Sequence, residues 1–246
     1  MREIITVRKL MIKRSRQVVL DGVDLDVAHG EVCVLVGRNG AGKTTLFHAL
    51  LGGLNPKRGL IRVFGKDPVR HQRYVREQIG FVPSIPDVPS EMTFNEIAAF
   101  MEPHFPSWSA TRLDEMSAWL CVSRGVPFGT LSKGQQMKAM LALALAHDPK
   151  LLLLDEPFGG IDPIARKEIL EGLIHSIQPM KRAILIATHD LDAAARVADA
   201  FLVMKGHGRI HKRMVEDIAE DTRPVTETLL GALKRIQTKE STPCTL

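Results

Sequence analysis

GRNGAGKTT, residues 37–45, follows the apolar run VCVLV of residues 32–36 and opens the segment Lys43–Leu51, whose apolar residues recur on one side. An apolar run without polar interruption predicts a strand buried on both faces, and the periodicity after it predicts a helix. At the junction, Gly37, Gly42, Lys43 and Thr44 fill the four fixed positions of G-x-x-x-x-G-K-[ST]. Such a turn lets the backbone N–H groups of Gly37, Arg38, Asn39, Gly40, Ala41 and Gly42 converge on phosphate oxygens, and the helix start adds the positive end of its dipole. Lys43 is placed to reach β- and γ-phosphates, the Thr44 hydroxyl to ligate Mg2+, and Thr45 completes the cradle.

A second stretch, LLLLDEP at residues 151–157, supplies carboxylates. An apolar strand ending in Asp155 delivers that side chain to the C-terminal edge of a parallel sheet, where ligands of open α/β sheets bind. There Asp155 would hold Mg2+, usually through water, and Glu156 would orient and activate an attacking water. An acidic pair after a strand is ordinary loop chemistry on its own; beside a phosphate cradle it is the other half of a hydrolytic site.

Outward from these two stretches the chain divides by texture. Residues 2–65 read as short strands and turns, with strands expected at Glu3–Val7, Val18–Val27 and Leu60–Phe64. From about residue 85 to 126 the signals are helical and broken by Pro86, Pro89, Pro103, Pro106 and Pro127, and Thr93 with Glu96 forms a capping box before the apolar run Ile97–Met101. Strands then alternate with helices again: helix 133–147, strand Leu151–Leu154, helix 163–176, strand Ala183–Ala187, helix 191–198 and strand Phe201–Met204. That alternation predicts a mostly parallel sheet. One domain is expected, with a nucleotide-binding core in 1–84 and 133–223, a helical subdomain in about 85–132, and a last helix and tail in 224–246.

Composition narrows the function classes. The 246 residues, 45% of them hydrophobic, can bury a sizeable core, and the longest apolar stretches end well short of the ~20 residues a membrane-spanning helix needs. MREIITVRKL lacks the apolar centre of a secretory signal, so a cytoplasmic location is expected. Cys33, Cys121 and Cys244 have neither metal-ligand nor disulfide spacing and read as free thiols. The net charge of +5 suits anionic partners, yet Arg70, Arg73 and Arg76 recur at helical spacing with almost no aromatics between them, which favours a solvated helix face over nucleic-acid binding.

A third element, LSKGQ at residues 131–135, places Ser132 and Gln135 as a capping box, and a capped helix start is also an anion site. Taken in order, GRNGAGKTT, LSKGQ, LLLLDEP, GGID at 159–162 and ATHD at 187–190 resemble the nucleotide-binding domain of ABC-type ATPases over nearly the whole chain. The resemblance implies an α/β fold: a P-loop NTPase core with a mostly parallel sheet, an N-terminal antiparallel β subdomain and an inserted α-helical subdomain. It also implies ATP with Mg2+ as cofactors and a head-to-tail pair of ATPase subunits, a homodimer or a heterodimer with a related subunit. In that pair each ATP lies on residues 37–45 of one subunit and is capped by Ser132, Gly134 and Gln135 of the other. His189 resembles the histidine that contacts the γ-phosphate, and Asp162 the residue that communicates across the pair, a role compatible with capping the helix that begins at Pro163.

The chain departs from the family pattern at three places. Ser84, in IGFVPSIPD, stands where the family carries a glutamine that senses both Mg2+ and the transport partner; its shorter hydroxyl would alter that coupling or its rate. No aromatic residue precedes Phe47 to stack on adenine, and Arg14, whose guanidinium plane can stack instead, sits near that position. Lys133 replaces a signature glycine and would add a cation close to the partner's γ-phosphate. Because Glu156 and His189 are both present, hydrolysis is expected. The leading reading is the ATPase subunit of a transporter, most like those of small-molecule and drug exporters, attached to the cytoplasmic face of the membrane by a separate transmembrane permease subunit, with no nucleic-acid partner. A soluble ABC ATPase acting on the ribosome or DNA, or a low-turnover nucleotide switch, are the alternatives.

Overall fold

The structure, a computed structural model, describes residues 3–15, 17–177, 182–204 and 209–215. The expected helix from Pro224, the end of the 133–223 core span, Cys244 and Arg16 of the basic N-terminal stretch lie outside the described residues. The chain begins with two long strands, β1 (Glu3–Arg14) and β2 (Gln17–Ala28), followed by β3 (Val32–Val36), α1 (Lys43–Leu50), β4 (Arg58–Val63), α2 (Gln72–Arg76) and β5 (Ile79–Val82). Helices α3 (Phe94–Met101) and α4 (Ala110–Trp119) come next. The alternating part then runs α5 (Lys133–Leu145), β6 (Leu151–Asp155), α6 (Pro163–Ile177), β7 (Ala183–Ala187), α7 (Leu191–Ala195), β8 (Ala200–Met204) and β9 (Ile210–Met214).

The strands form two sheets. One is antiparallel in the order β2-β1-β4; the other has six strands in the order β5-β6-β7-β3-β8-β9, parallel except for β9, which runs against β8. An α/β core with a mostly parallel sheet and an N-terminal antiparallel sheet is the fold the sequence predicts. β3, β6, β7 and β8 are buried at every residue, as uninterrupted apolar runs demand. Their pleat feeds two cores. Val32, Val34, Val36, Leu152, Leu154, Ile184 and Ile186 point into a cluster with α3, α4, α5 and α6. Cys33, Leu35, Leu151, Leu153 and Leu185 point into a second cluster with Leu46, Phe47 and Leu50 of α1 and with the inner face of the antiparallel sheet.

Several boundaries differ from the sequence expectation. β1 runs on past Val7 to Arg14, because it is paired on both edges while Arg8, Lys9 and Lys13 point to solvent. α5 stops at Leu145 rather than 147, where Asp148 turns to φ +54° ahead of Pro149. α7 ends at Ala195 rather than 198, and β9 has no counterpart in the sequence expectation. Both expected capping boxes form, at Thr93/Glu96 and at Ser132/Gln135.

A nucleotide cradle at the sheet edge

Strand register assembles the site. Ala187 at the end of β7 pairs with Leu35 of β3 on one side and with Asp155 of β6 on the other, while Val82 of β5 pairs with Leu154 of β6. The segments leaving those four neighbouring strands therefore emerge at one level of one edge. They carry Gly37, Ser84, Glu156 and His189.

The cradle itself is a left-handed turn into a helix. Gly42, at φ +102°, precedes α1, whose first turn has no side-chain cap, so its N–H groups face outward for an anion. The conformation requires glycine, and a Cβ at Gly42 would also lie 2.6 Å from Leu20 Cδ2 of β2, which would have to shift. Lys43 is folded back with its ammonium donating to the Gly37 carbonyl at 2.9 Å and lying 3.6 Å from Glu156 Oε1. A pocket of about 300 Å³ is lined by Val19, by Arg38 to Thr45, and by Ser84, Asp155 and Glu156.

The carboxylates occupy different environments. Asp155 is 2% exposed, and its Oδ2 accepts a 2.7 Å hydrogen bond from the Thr44 hydroxyl. Burial raises its pKa above the ordinary carboxylate value, and the Glu156 charge raises it further against the opposing pull of Thr44 and Lys43. A carboxylate held out of water beside the Thr44 hydroxyl, with Ser84 at the same pocket, is a hard-oxygen donor set that suits Mg2+. Glu156 has φ +52°, a conformation that costs a non-glycine residue about 1–3 kcal/mol, and its N–H donates to Ala187 O at 2.7 Å. That backbone turn sends the two neighbouring carboxylates different ways. Glu156 Oε2 accepts from both the backbone N–H and the ring Nδ1 of His189.

Ser132, Gly134 and Gln135 lie elsewhere. Ser132 and Gln135 cap α5 reciprocally, and neither lines the cradle pocket of the same chain. A Cβ at Gly134 would lie 2.7 Å from Ala165 Cβ and 3.5 Å from Asp162 Oδ2, so the signature glycine is where α5 crosses the start of α6. Asp162 is exposed and its Oδ1 accepts from the N–H groups of Ile164 and Ala165. Those backbone donors, that of Ala165 foremost, hold its carboxyl below the usual range. The cradle, the carboxylates and His189 are thus joined within one chain, while Ser132 and Gln135 are exposed away from that pocket.

The sequence model of the ABC transporter family matches residues 20–159, more than half of the chain. The chain belongs to the ABC transporter family. This ABC domain is 31% identical to the Nod factor export ATP-binding protein I of Ralstonia nicotianae over 95% of its own length and 75% of that protein's. It is 35% identical to the protein of the same name from Sinorhizobium fredii over 78% of its length, but spans only 57% of that relative. Among solved structures it superposes on an ATP-binding subunit of an ABC transporter with a TM-score of 0.80 at 28% identity, covering 93% of this chain and 98% of the other. It is an ATP-binding domain, and no helix among its described residues is long and apolar enough to cross a membrane.

Two details of this ABC domain were not read from its sequence as they stand. Val19 of β2 lines the pocket beside the cradle. A β-branched residue on the strand that packs over a phosphate loop was the available signal, hidden because β2 precedes the motif by a whole strand. Arg14 pairs with Gln17 at the turn between β1 and β2 and is not among the pocket's lining residues.

Proposed function

We propose that this chain is the ATP-hydrolysing subunit of a transporter, working as one of a pair of ATPase subunits on a separate transmembrane permease at the cytoplasmic face of the membrane. The single observation that carries the reading is the convergence of Lys43, Thr44, Asp155, Glu156 and Ser84 on one pocket with the cradle backbone. Lys43 would meet β- and γ-phosphate charge, and Thr44 and Asp155 would hold Mg2+, which would supply positive charge to offset that of the phosphates. Glu156 orients the attacking water and accepts its proton, with His189 holding the carboxylate and reaching toward the γ-phosphate. The exposed Ser132 and Gln135, with Gly134 between them, cap the nucleotide of a second subunit, and Asp162 carries the state of one site to the other.

Residues 85–132 act as the subdomain that meets the permease, and export is the favoured direction because both relatives named above are exporters by name. Ser84 contributes to the Mg2+ site through a shorter arm than the family's glutamine.

A tagged Glu156→Gln chain, recovered from detergent-solubilised cells with ATP and Mg2+, tests the assembly. Co-purification of a multi-spanning membrane protein supports it and shows whether one or two kinds of ATPase subunit are used. Recovery of ribosomes or nucleic acid without a membrane protein overturns it in favour of a soluble task. Purified wild-type chain should hydrolyse ATP, and the variant should lose turnover by at least about a hundredfold while retaining ATP-dependent dimers.

A further inference from the structure

Arg166 stands on the first turn of α6, its backbone N–H bonded to the Asp162 carbonyl at 3.0 Å. Its Nη1 lies 2.8 Å from Oδ2 of Asp190, the residue after His189. Asp190 is fixed on every side. Its Oδ1 accepts from the Ala193 N–H at 3.0 Å, capping α7, and its own N–H donates to the Thr188 hydroxyl at 3.1 Å. Thr188 is fully buried and its N–H donates to Leu35 O of β3. On the other side of the same peptide, the backbone and ring of His189 both bond Glu156. His189 is thus flanked by a residue, Asp190, whose only anchor outside its own loop and helix among the described residues is Arg166.

Two observations distinguish this contact from a surface ion pair. The Asp190 side chain is only 15% exposed, so its charge depends on the partner more than an open pair would. In addition, Arg166 Nε is buried without a hydrogen-bond partner among the described residues, so the guanidinium is held at one end only. An arginine serving purely to lock two helices together would satisfy its buried donors. One left with an orphan N–H can re-aim without first breaking a second bond.

We propose that Arg166 is a positioning residue for hydrolysis: its ion pair with Asp190 ties the turn that carries Asp162 to the loop that carries His189, and so holds the His189 ring on Glu156. The role rests on the assignments of Glu156 and His189 made above. It also gives Asp162 a physical route to the hydrolytic carboxylate of its own subunit, through one side chain one helical turn away.

The test uses the full chain with Arg166→Gln and Arg166→Lys, read by four measurements: kcat and KM for ATP, equilibrium ATP affinity, thermal midpoint, and the ring signals of the histidines by NMR, with His189 identified by its loss in His189→Gln. Couplings through such a contact are of the order that changes a rate about tenfold. Arg166→Gln should lower kcat about tenfold while leaving KM and ATP affinity within about twofold, and should move the His189 ring signal but not that of His175 on the same helix. Arg166→Lys, which keeps the charge, should recover most of the rate and restore the ring signal. An unmoved His189 signal in Arg166→Gln, a parental rate, or a parallel fall in rate, ATP affinity and thermal midpoint that Arg166→Lys does not relieve would overturn the proposal. If the wild-type chain does not hydrolyse ATP, the hydrolytic reading fails on that result alone, and the ring signal still decides whether Arg166 positions His189.

Discussion

His189 meets Glu156 twice on the same oxygen: its backbone N–H reaches Oε2 at 3.3 Å and its ring Nδ1 at 2.8 Å. An ionised carboxylate only accepts, so Nδ1 carries the proton of that bond. The other oxygen, Oε1, faces the Lys43 ammonium at 3.6 Å. The carboxylate thereby lies between the Lys43 ammonium and the His189 ring, whose side chain is 65% exposed. Orientation of a general base is worth rate rather than binding. His189→Ala should lower kcat about a hundredfold and leave the affinity for ATP within about threefold, compared by steady-state hydrolysis and by equilibrium binding of a nucleotide analogue. A loss of affinity as large as the loss of rate would show that His189 serves mainly to bind nucleotide.

Much of this site is legible in the sequence because burial on both faces forces apolar runs with abrupt ends. VCVLV, LLLLD and AILIA mark β3, β6 and β7 almost to the residue, and whatever follows each run must lie at the sheet edge. Edge elements leave no such mark. β9, IHKRM, has an exposed side chain at four of its five residues, so a charged sequence is as compatible with a loop as with a strand, and only its pairing with the buried β8 makes it one. The extension of β1 through Arg8, Lys9 and Lys13 is concealed for the same reason. Side-chain contacts between distant segments are less legible still. Arg166 and Asp190 are each unremarkable in sequence, one on a helix face and one at a helix start. Their meeting depends on how α6 and α7 pack.

His147 gives a pH dependence unrelated to catalysis. It is 1% exposed, stacked on Phe105 with ring centroids 4.1 Å apart, with Nε2 at 3.2 Å from Ile79 O and Nδ1 without a partner among the described residues. Burial pushes its pKa down to about 4, the Ile79 carbonyl opposing and the Arg182 charge assisting. A base whose folded value lies below its unfolded one contributes stability that is complete above about pH 6.5 and is lost as pH falls through about 4. The full loss is of order 3 kcal/mol. His147→Gln, whose amide can still donate toward Ile79 O, should flatten that limb: between pH 7 and pH 4 its urea midpoint should fall less than that of the parent, by about 2–3 kcal/mol in stability. Parallel acid limbs in the two proteins would show that other groups govern the decline.

Asp155 has the opposite sign, and it sets function against stability. Burial is the largest cause of its raised pKa, so the folded protein binds its proton more tightly than the unfolded chain does. Its contribution is therefore fully favourable below the unfolded value of about 3.8 and is lost as pH rises through the folded value, because ionising a buried carboxylate costs free energy. Asp155→Asn removes that cost and keeps an oxygen able to accept from the Thr44 hydroxyl, which donates to Oδ2 in the present structure. Without nucleotide or divalent cation, the variant should be the more stable protein at pH 7, by about 1 kcal/mol, and the gain should vanish as pH falls toward 4. Adding ATP with Mg2+ should reverse the order, because the wild-type carboxylate gains a cation to pair with and the amide does not. Thermal midpoints of both proteins at two pH values, with and without ATP and Mg2+, give all four comparisons. A variant less stable than the wild type in the absence of ligand would mean that the Asp155 charge is already compensated within the fold, by the Thr44 hydroxyl first and by Lys43 after it, and would overturn this reading.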